Sequence, residues 1–488
     1  MQEAQNESVR IPPAKVEECV RQKLVLSVIV VAATIAAGCS GDGSPIANPA
    51  SWRVNPAQVS SPSPIQHVVL IVQENRTFNN FFATFPGADG TTTGKVEANA
   101  KCSPPITAGT IALVKAPLLL RKDLRHAYAA FATARDKGKL DGFDLAEFGS
   151  GKPECAYPYM YTDPNDIKPY WDMARQYTLA EHMFTEQGSD SFTAHQALIA
   201  GSTIVKQNKV GGYLSMVDLP GCSGPNCYWG CDAPPPTRTH LINEKGVEQP
   251  GQSGPFPCTN DFTVKYPSID TLLDPKSVTW KYYVPPSNQN FGKLLNAFDV
   301  IYDVRNGPDW NNIVTPQTKI FDDLSNNGLP NVSWVIPDEP DSDHPGLGKD
   351  TGPEWVASVV NAIGESPYWS STAIVIIWDD WGGLYDNRVG KKLGYGGLGL
   401  RVPAIVVSPY ARPGYISKTN YEFASILKYI EKNWNLGTLG GDDQRATSII
   451  DCFNYSQNPI SFVPIASSHD KSYFIHRRPS FQRIDDDM

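Results

Sequence analysis

The chain has 488 residues, of which 41 % are hydrophobic and 19 % charged, with a formal net charge of −9. This apolar content supports a large buried core, and so few charges exclude disorder driven by charge repulsion. The acidic balance excludes a nucleic-acid binder, since phosphate-backbone recognition needs a basic surface, and means that an anionic substrate would need a cation to bridge it.

Residues 24–38 read LVLSVIVVAATIAAG, a stretch without charge that follows Arg21 and Lys23 and runs directly into Cys39. It is shorter than the about 20 apolar residues a membrane helix needs, and its flanks are those of an export signal. Ala36, Ala37 and Gly38 resemble a bacterial lipobox. Residues 1–38 are therefore expected to be a leader and Cys39 a lipid-attachment site, with ordinary cleavage and an uncleaved anchor as the alternatives. Residues 39–64 are rich in Ser, Pro, Gly and Asn, which suits a flexible tether. That leaves 65–488 as a single folded domain.

Export decides how the remaining cysteines are read. Cys222, Cys227 and Cys231 fall in PGCSGPNCYWGC, and Cys258 follows across a Pro/Gly-rich stretch, a pattern that staples an insertion around 203–266. A structural zinc site is the competing reading, disfavoured because paired C-x2-C knuckles are missing. With Cys102, Cys155 and Cys452 the count is odd, so one thiol is expected to stay free.

Continuous apolar, β-branched runs at His67–Val72, Val332–Ile336, Ala373–Trp378 and Val402–Ser408, with Val278–Val284 as a fifth, have the pattern of strands buried on both faces. Helical spacing lies between them. Trp355, Val359, Val360 and Ile363 share one face, as do Phe423, Ile426, Leu427, Ile430 and Trp434. The alternation predicts an α/β fold, a doubly wound and mainly parallel sheet with helices on both faces, with long loop insertions at 85–125, 203–266 and 286–312.

Ligands in such sheets bind beyond the carboxyl ends of the strands. There the sequence places Glu74-Asn75-Arg76, the acidic stretch Asp338 to Asp343 followed by His344, and Asp379-Asp380. Hard oxygen donors from several strand ends describe a site for a divalent metal ion of unspecified identity. Ser189 and Ser191 precede AHQALIA, an expected helix, so either would lie at its start, where an anion is favoured. The plainer readings are an Asn75 helix cap, a Ser191 helix cap, a turn at Asp379-Asp380, surface positions for His344 and His126, a solvated acidic loop at 338–343, and structural roles for His67, His182, His195 and His240. Trp381 and Tyr385 read as packing aromatics.

These segments together resemble a known family. HVVLIVQENRTFNNFF is similar to the opening motif of the bacterial and fungal phosphoesterase family that contains phosphatidylcholine-type phospholipases C and secreted acid phosphatases. GSDSFTAHQALIAG resembles its nucleophile segment, TAIVIIWDDWGGLYDNRV its DDWGGFYDHV signature, and LRVPAIVVSPYARPG its last block. The resemblance implies an alkaline-phosphatase-like fold. It implies Glu74, Asn75, Ser191, Asp379 and Asp380 as metal ligands, Ser191 also being the nucleophile, and His126 and His344 as donors to phosphoryl oxygens or to the leaving group. Asn387 stands where the family has His and Ala194 where it has Asn, departures expected to bear on substrate scope and pH dependence.

The expected activity is phosphoester hydrolysis through a phosphoseryl intermediate. The chain ends about 35 residues after the last motif, which favours a phosphatase-like enzyme acting on a small phosphoester over a phospholipase C acting on a phospholipid. A sulfatase is disfavoured by the lack of a C/S-x-P-x-R motif after the first strand. A non-catalytic surface lipoprotein on a hydrolase scaffold is the reading from another class.

Overall fold

Eight strands form the central sheet: β1 (His67–Gln73), β2 (Thr178–Ala180), β3 (Trp280–Tyr283), β4 (Ile313–Val314), β5 (Val332–Val335), β6 (Thr372–Trp378), β7 (Ala404–Val407) and β8 (Tyr415–Ser417). Their order is β4-β3-β5-β1-β6-β7-β2-β8. The computed structural model describes residues 63–147, 151–207, 212–221, 230–233, 237–255, 258, 267–346, 350–393, 395 and 397–481. The leader expected at 1–38, all but the last two residues of the tether at 39–64, and Cys222 and Cys227 lie outside the described residues. Residues 58–488 cluster as one compact unit, and among the described residues no helix is long and apolar enough to cross a membrane.

From β4 through β6 every pairing is parallel. All seven residues of β6 are buried, so chain covers the sheet on both faces and the apolar run needs no polar alternation. The run at Val402–Ser408 forms β7, but antiparallel to both β6 and β2. Continuous apolar sequence reports burial on two faces and is silent about strand direction. β2, β4 and β8 are two or three residues long, too short to carry a periodic signal.

Five helices frame the sheet and its carboxyl edge: α1 (Phe78–Phe82), α2 (Lys168–Gln176), α3 (Ser191–Ala197), α4 (Gly352–Gly364) and α5 (Ala424–Trp434). α4 carries Pro353 in its first turn, which tolerates proline because the missing N–H has no partner to lose there. Its Trp355, Val359, Val360 and Ile363 are fully buried, and it packs on β6 and against α2. Burial of each such side chain contributes about 1.5–3 kcal/mol. α5 ends at Asn435 in the left-handed region, a common helix stop.

The insertion expected around 203–266 folds as its own antiparallel sheet of Ile204–Gln207, Tyr213–Gly221, Arg238–Asn243 and Glu248–Pro255. A Cys231–Cys258 disulfide staples it, a second bridge joins Cys102 to Cys155, and Cys452 is a free, buried thiol. A disulfide therefore takes the place of the zinc alternative at Cys231 and Cys258, the two described cysteines of that cluster. The segments 85–125 and 286–312 carry short strands and single helical turns.

Candidate active site

β1 lies between β5 and β6, so three carboxyl ends adjoin. Gln73 pairs with Trp378 in register, and the ladder continues one bond further, with Asp379 N–H donating to the Gln73 carbonyl at 2.9 Å. Glu74 and Asp379 thus leave the sheet side by side. From β5, the Ser342 carbonyl accepts from Glu74 N–H at 2.8 Å. Local turns aim the side chains. Asn75 has φ 59, and Gly382, behind Asp379-Asp380-Trp381, has φ 55. At Gly382 a Cβ would sit 2.2 Å from the Asn75 carbonyl oxygen, so only glycine allows the two turns to pack back to back.

Asn75 is the hub. Its backbone N–H donates to Asp379 Oδ1 at 2.9 Å. Its side-chain Nδ2 lies 3.0 Å from His126 Nε2 and 3.1 Å from His344 Nε2, and its Oδ1 faces Ser191 Oγ at 3.3 Å. Ser191 is the first residue of α3, and its hydroxyl points at Asp380 Oδ2 at 3.0 Å. Asp380 Oδ1 is held by Gly382 N–H at 2.7 Å. One turn along α3, His195 Nε2 lies 3.2 Å from Glu74 Oε1 and 3.6 Å from Asp379 Oδ2. Every one of these side chains is at most 3 % exposed.

Burial pushes the Glu74 carboxyl up to about 8. Asp379 reaches about 8 through burial and then the neighbouring Glu74 charge, and Asp380 is driven well above the usual carboxylate range by burial and Asp379. Among the described residues none of the three forms an ion pair with lysine or arginine, and Asp379 Oδ2 accepts no hydrogen bond. Three crowded, dry carboxylates with an open acceptor oxygen, beside the Asn75 amide oxygen and the Ser191 hydroxyl, fit a divalent cation with hard ligands. Glu74, His195 and Asp379 lie close enough to share one ion. Asp123, His126 and His344 form a second such group.

The two pocket histidines are held in the same way. His126 Nδ1 faces the Leu124 carbonyl and His344 Nδ1 the Pro345 carbonyl, each at 2.7 Å. A carbonyl only accepts, so both Nδ1 atoms carry hydrogen and both Nε2 atoms present lone pairs toward Asn75. Burial, then the nearby His126, holds His344 down to about 3. In this state both rings accept a proton, and they donate one only after taking it up.

All seven expected site residues come together. The acidic stretch, read also as a solvated loop, is buried instead: Asp338, Glu339, Asp341 and Asp343 are at most 6 % exposed. Arg76, between these elements, is committed to scaffolding, donating to the Asp343 and Leu118 carbonyls at 2.8 and 2.7 Å. Asn387 accepts from Arg401 Nη2 at 2.5 Å, beside a buried pair of Arg401 with Asp386. Ala194 is buried in the core. Trp381 packs on Phe131 and Phe143 and donates to the His126 carbonyl at 3.0 Å. His195, given a structural role from sequence, faces Glu74 and Asp379; its i, i+4 spacing from Ser191 was the available signal.

The profile of the phosphoesterase family matches residues 65–437. The chain belongs to the phosphoesterase family. A non-hemolytic phospholipase C of Burkholderia pseudomallei is 24 % identical over 424 residues, covering 76 % of this chain and 55 % of that protein. Phospholipase C B of Mycobacterium tuberculosis is 23 % identical over 456 residues, covering 81 % of this chain and 78 % of that one. The chain thus spans little more than half the length of the Burkholderia relative. Among solved structures, a protein in the alkaline phosphatase superfamily from Vibrio parahaemolyticus aligns at 12 % identity with a TM-score of 0.33, over 82 % of this chain and 76 % of the other.

Proposed function

We propose that this protein hydrolyses phosphoesters with Ser191 as nucleophile. The observation that carries the reading is the Ser191 hydroxyl, buried and aimed at Asp380 Oδ2 at 3.0 Å inside a ring of uncompensated carboxylates. Glu74, Asn75, Ser191, Asp379 and Asp380 would hold a divalent cation, which supplies charge to lower the proton affinity of the serine and to offset charge developing on the phosphoryl oxygens. Asp380 Oδ2, 3.0 Å from the Ser191 oxygen, would receive its proton. The serine oxygen then bonds to phosphorus as the P–O bond to the leaving group breaks, giving a phosphoseryl enzyme. Asn75 orients the reacting hydroxyl. His126 and His344, once protonated, can donate to phosphoryl oxygens or to the leaving alkoxide, and as free bases they can accept a proton from the water that hydrolyses the intermediate.

Ser191→Ala should remove turnover of p-nitrophenyl phosphate, and the parent quenched in acid should carry phosphate on Ser191 by mass spectrometry. Activity that survives in Ser191→Ala would refute the assignment. The Burkholderia and Mycobacterium relatives are phospholipases C, which supports a phospholipid substrate; the phosphatase-like reading competes with it. Rates on p-nitrophenyl phosphate, its bis-ester and phosphatidylcholine vesicles separate the two. Export and attachment through Cys39 belong to the same proposal. The Cys102–Cys155 and Cys231–Cys258 bridges support export, because such bonds persist outside the reducing cytosol.

A further inference from the structure

The family match ends at residue 437, yet a later segment folds back toward the site. Lys471–His476 is a short helix whose N-cap, Asp470, accepts from the Ser472 and Tyr473 N–H groups. Phe474 is buried with its ring 5.4 Å from that of Trp355 on α4. Three residues on, Arg477 reaches the acidic loop after β5. Its Nη2 pairs with Asp338 Oδ1 and lies 2.7 Å from Asp341 Oδ2, while Ser480 Oγ donates to Glu339 Oε2 at 2.5 Å. Asp338 and Asp341 are 4 % and 0 % exposed, so water does not offset their charges. Thr351 Oγ1 donates to the other Asp341 oxygen at 2.7 Å. Two carboxylates this close, and this dry, stay ionised together inside the fold only beside a cation.

The loop that Arg477 neutralises also builds the site. Ser342 Oγ donates to the Glu339 carbonyl at 2.8 Å, and the Ser342 carbonyl holds Glu74 N–H at 2.8 Å. Two residues on, His344 meets Asn75 at 3.1 Å. Outward movement of Asp338 and Asp341 therefore displaces both the Glu74 backbone and the His344 ring. We propose that Arg477, from outside the family-matched region, is a positioning residue for the phosphoester site: it draws the 338–344 loop inward and so fixes Glu74 and His344. Phe474 anchors the segment, and Arg477 transmits the hold. This rests on the reading of Glu74 and His344 as parts of the reacting centre.

The test uses the full chain with saturating Mn2+ and p-nitrophenyl phosphate. Arg477→Met keeps the length of the side chain and removes its charge; kcat should fall by about 20-fold or more with KM within about threefold, as expected when groups are misplaced by a fraction of an ångström. Adding Asp338→Asn to Arg477→Met removes one of the competing carboxylates and should bring kcat back to within about fivefold of the parent. A residue that merely packed would not be rescued in this way. The proposal is overturned if Arg477→Met keeps kcat within about twofold of the parent, or if the double variant is no faster than the single. Should Arg477→Met not fold, Arg477→Lys decides: a drop of about threefold to tenfold in kcat is expected from losing the forked contact, and an unchanged kcat overturns the proposal. Ser191→Ala, assayed beside these, tests the underlying reading, so activity lost there with Arg477→Met unaffected sinks the positioning role alone.

Discussion

Replacing Gly382 with alanine puts one methyl group against the backbone that aims Asn75. The new Cβ would lie 2.2 Å from the Asn75 carbonyl oxygen, 2.8 Å from its carbon and 2.9 Å from its Cβ, where real Cβ contacts stay above 3.0 Å. The obstacle is backbone, not the tip of a flexible side chain, so about 0.8 Å of displacement must be shared between two turns held by Asp379, Asp380 and Asn75. Alanine at φ 55 adds about 1 kcal/mol of local strain. Asn75 contacts His126, His344, Ser191 and Asp379 at once, so its movement disturbs all four. A displacement approaching 1 Å in reacting groups costs about 100-fold in rate, while the strain costs roughly 2–4 kcal/mol of stability, which lowers the melting temperature of a chain this long by a few degrees only. The assay is kcat for p-nitrophenyl phosphate at 25 °C with saturating divalent metal, beside a thermal melt. Gly437→Ala serves as control, since φ there is 99 and an added Cβ meets nothing within 4 Å; it carries backbone strain without the clash and should keep full activity. A folded Gly382→Ala enzyme with kcat within about threefold of the parent would refute the claim that this turn sets the geometry of the site.

Metal removal should make stability depend on pH in a defined direction. Folding raises Glu74 and Asp379 to about 8 from ordinary values of 4.5 and 3.8, so their contribution is intact below about pH 4 and is lost as pH rises through 8. Chelator-treated protein should melt lower at pH 8.5 than at pH 6, and Mn2+ should close the gap; equal melting at the two pH values would count against the carboxylate ring. Asp218, on the insertion, accepts from Tyr128 N–H at 2.7 Å and donates its own N–H to Ser189 Oγ at 2.8 Å, two residues before Ser191. Its φ of 58 suits Asn or Gly, so Asp218→Asn should keep kcat while Asp218→Gly, which loses the acceptor without backbone strain, should lower it about tenfold. The Cys452 thiol is pushed up to about 12 by burial, so Ellman's reagent should label it only after denaturation; rapid labelling of native protein would contradict its burial.

The strands β1, β5 and β6 were legible because burial on both faces leaves an unbroken apolar run, and the polar residues that follow each run mark the strand ends where a site can form. Glu74, Asn75, Asp379 and Asp380 could be read from that position, and Ser191, His126 and His344 from the family motifs. His195 was not, because its role depends on one turn of α3 carrying it to Glu74 and Asp379, two strand ends far away in sequence. The acidic loop at 338–343 misled for a related reason. A run of Asp and Glu reads as solvated unless its counter-charge is known, and Arg477 lies more than a hundred residues downstream.

Residue type and local order were thus enough for the α/β class, the strand ends and most of the ligand set, since hydrophobic burial and local turn chemistry act over a few positions. Only the tertiary structure decided the antiparallel course of β7, the turning of the His126 and His344 Nε2 atoms toward Asn75, the pairing of Asn387 with Arg401, and the pairing of Arg477 with Asp338 and Asp341. Each of these is a directional hydrogen bond or ion pair between distant segments. Which donor meets which acceptor in a dry interior is set by how whole elements pack, and no window of sequence contains that information.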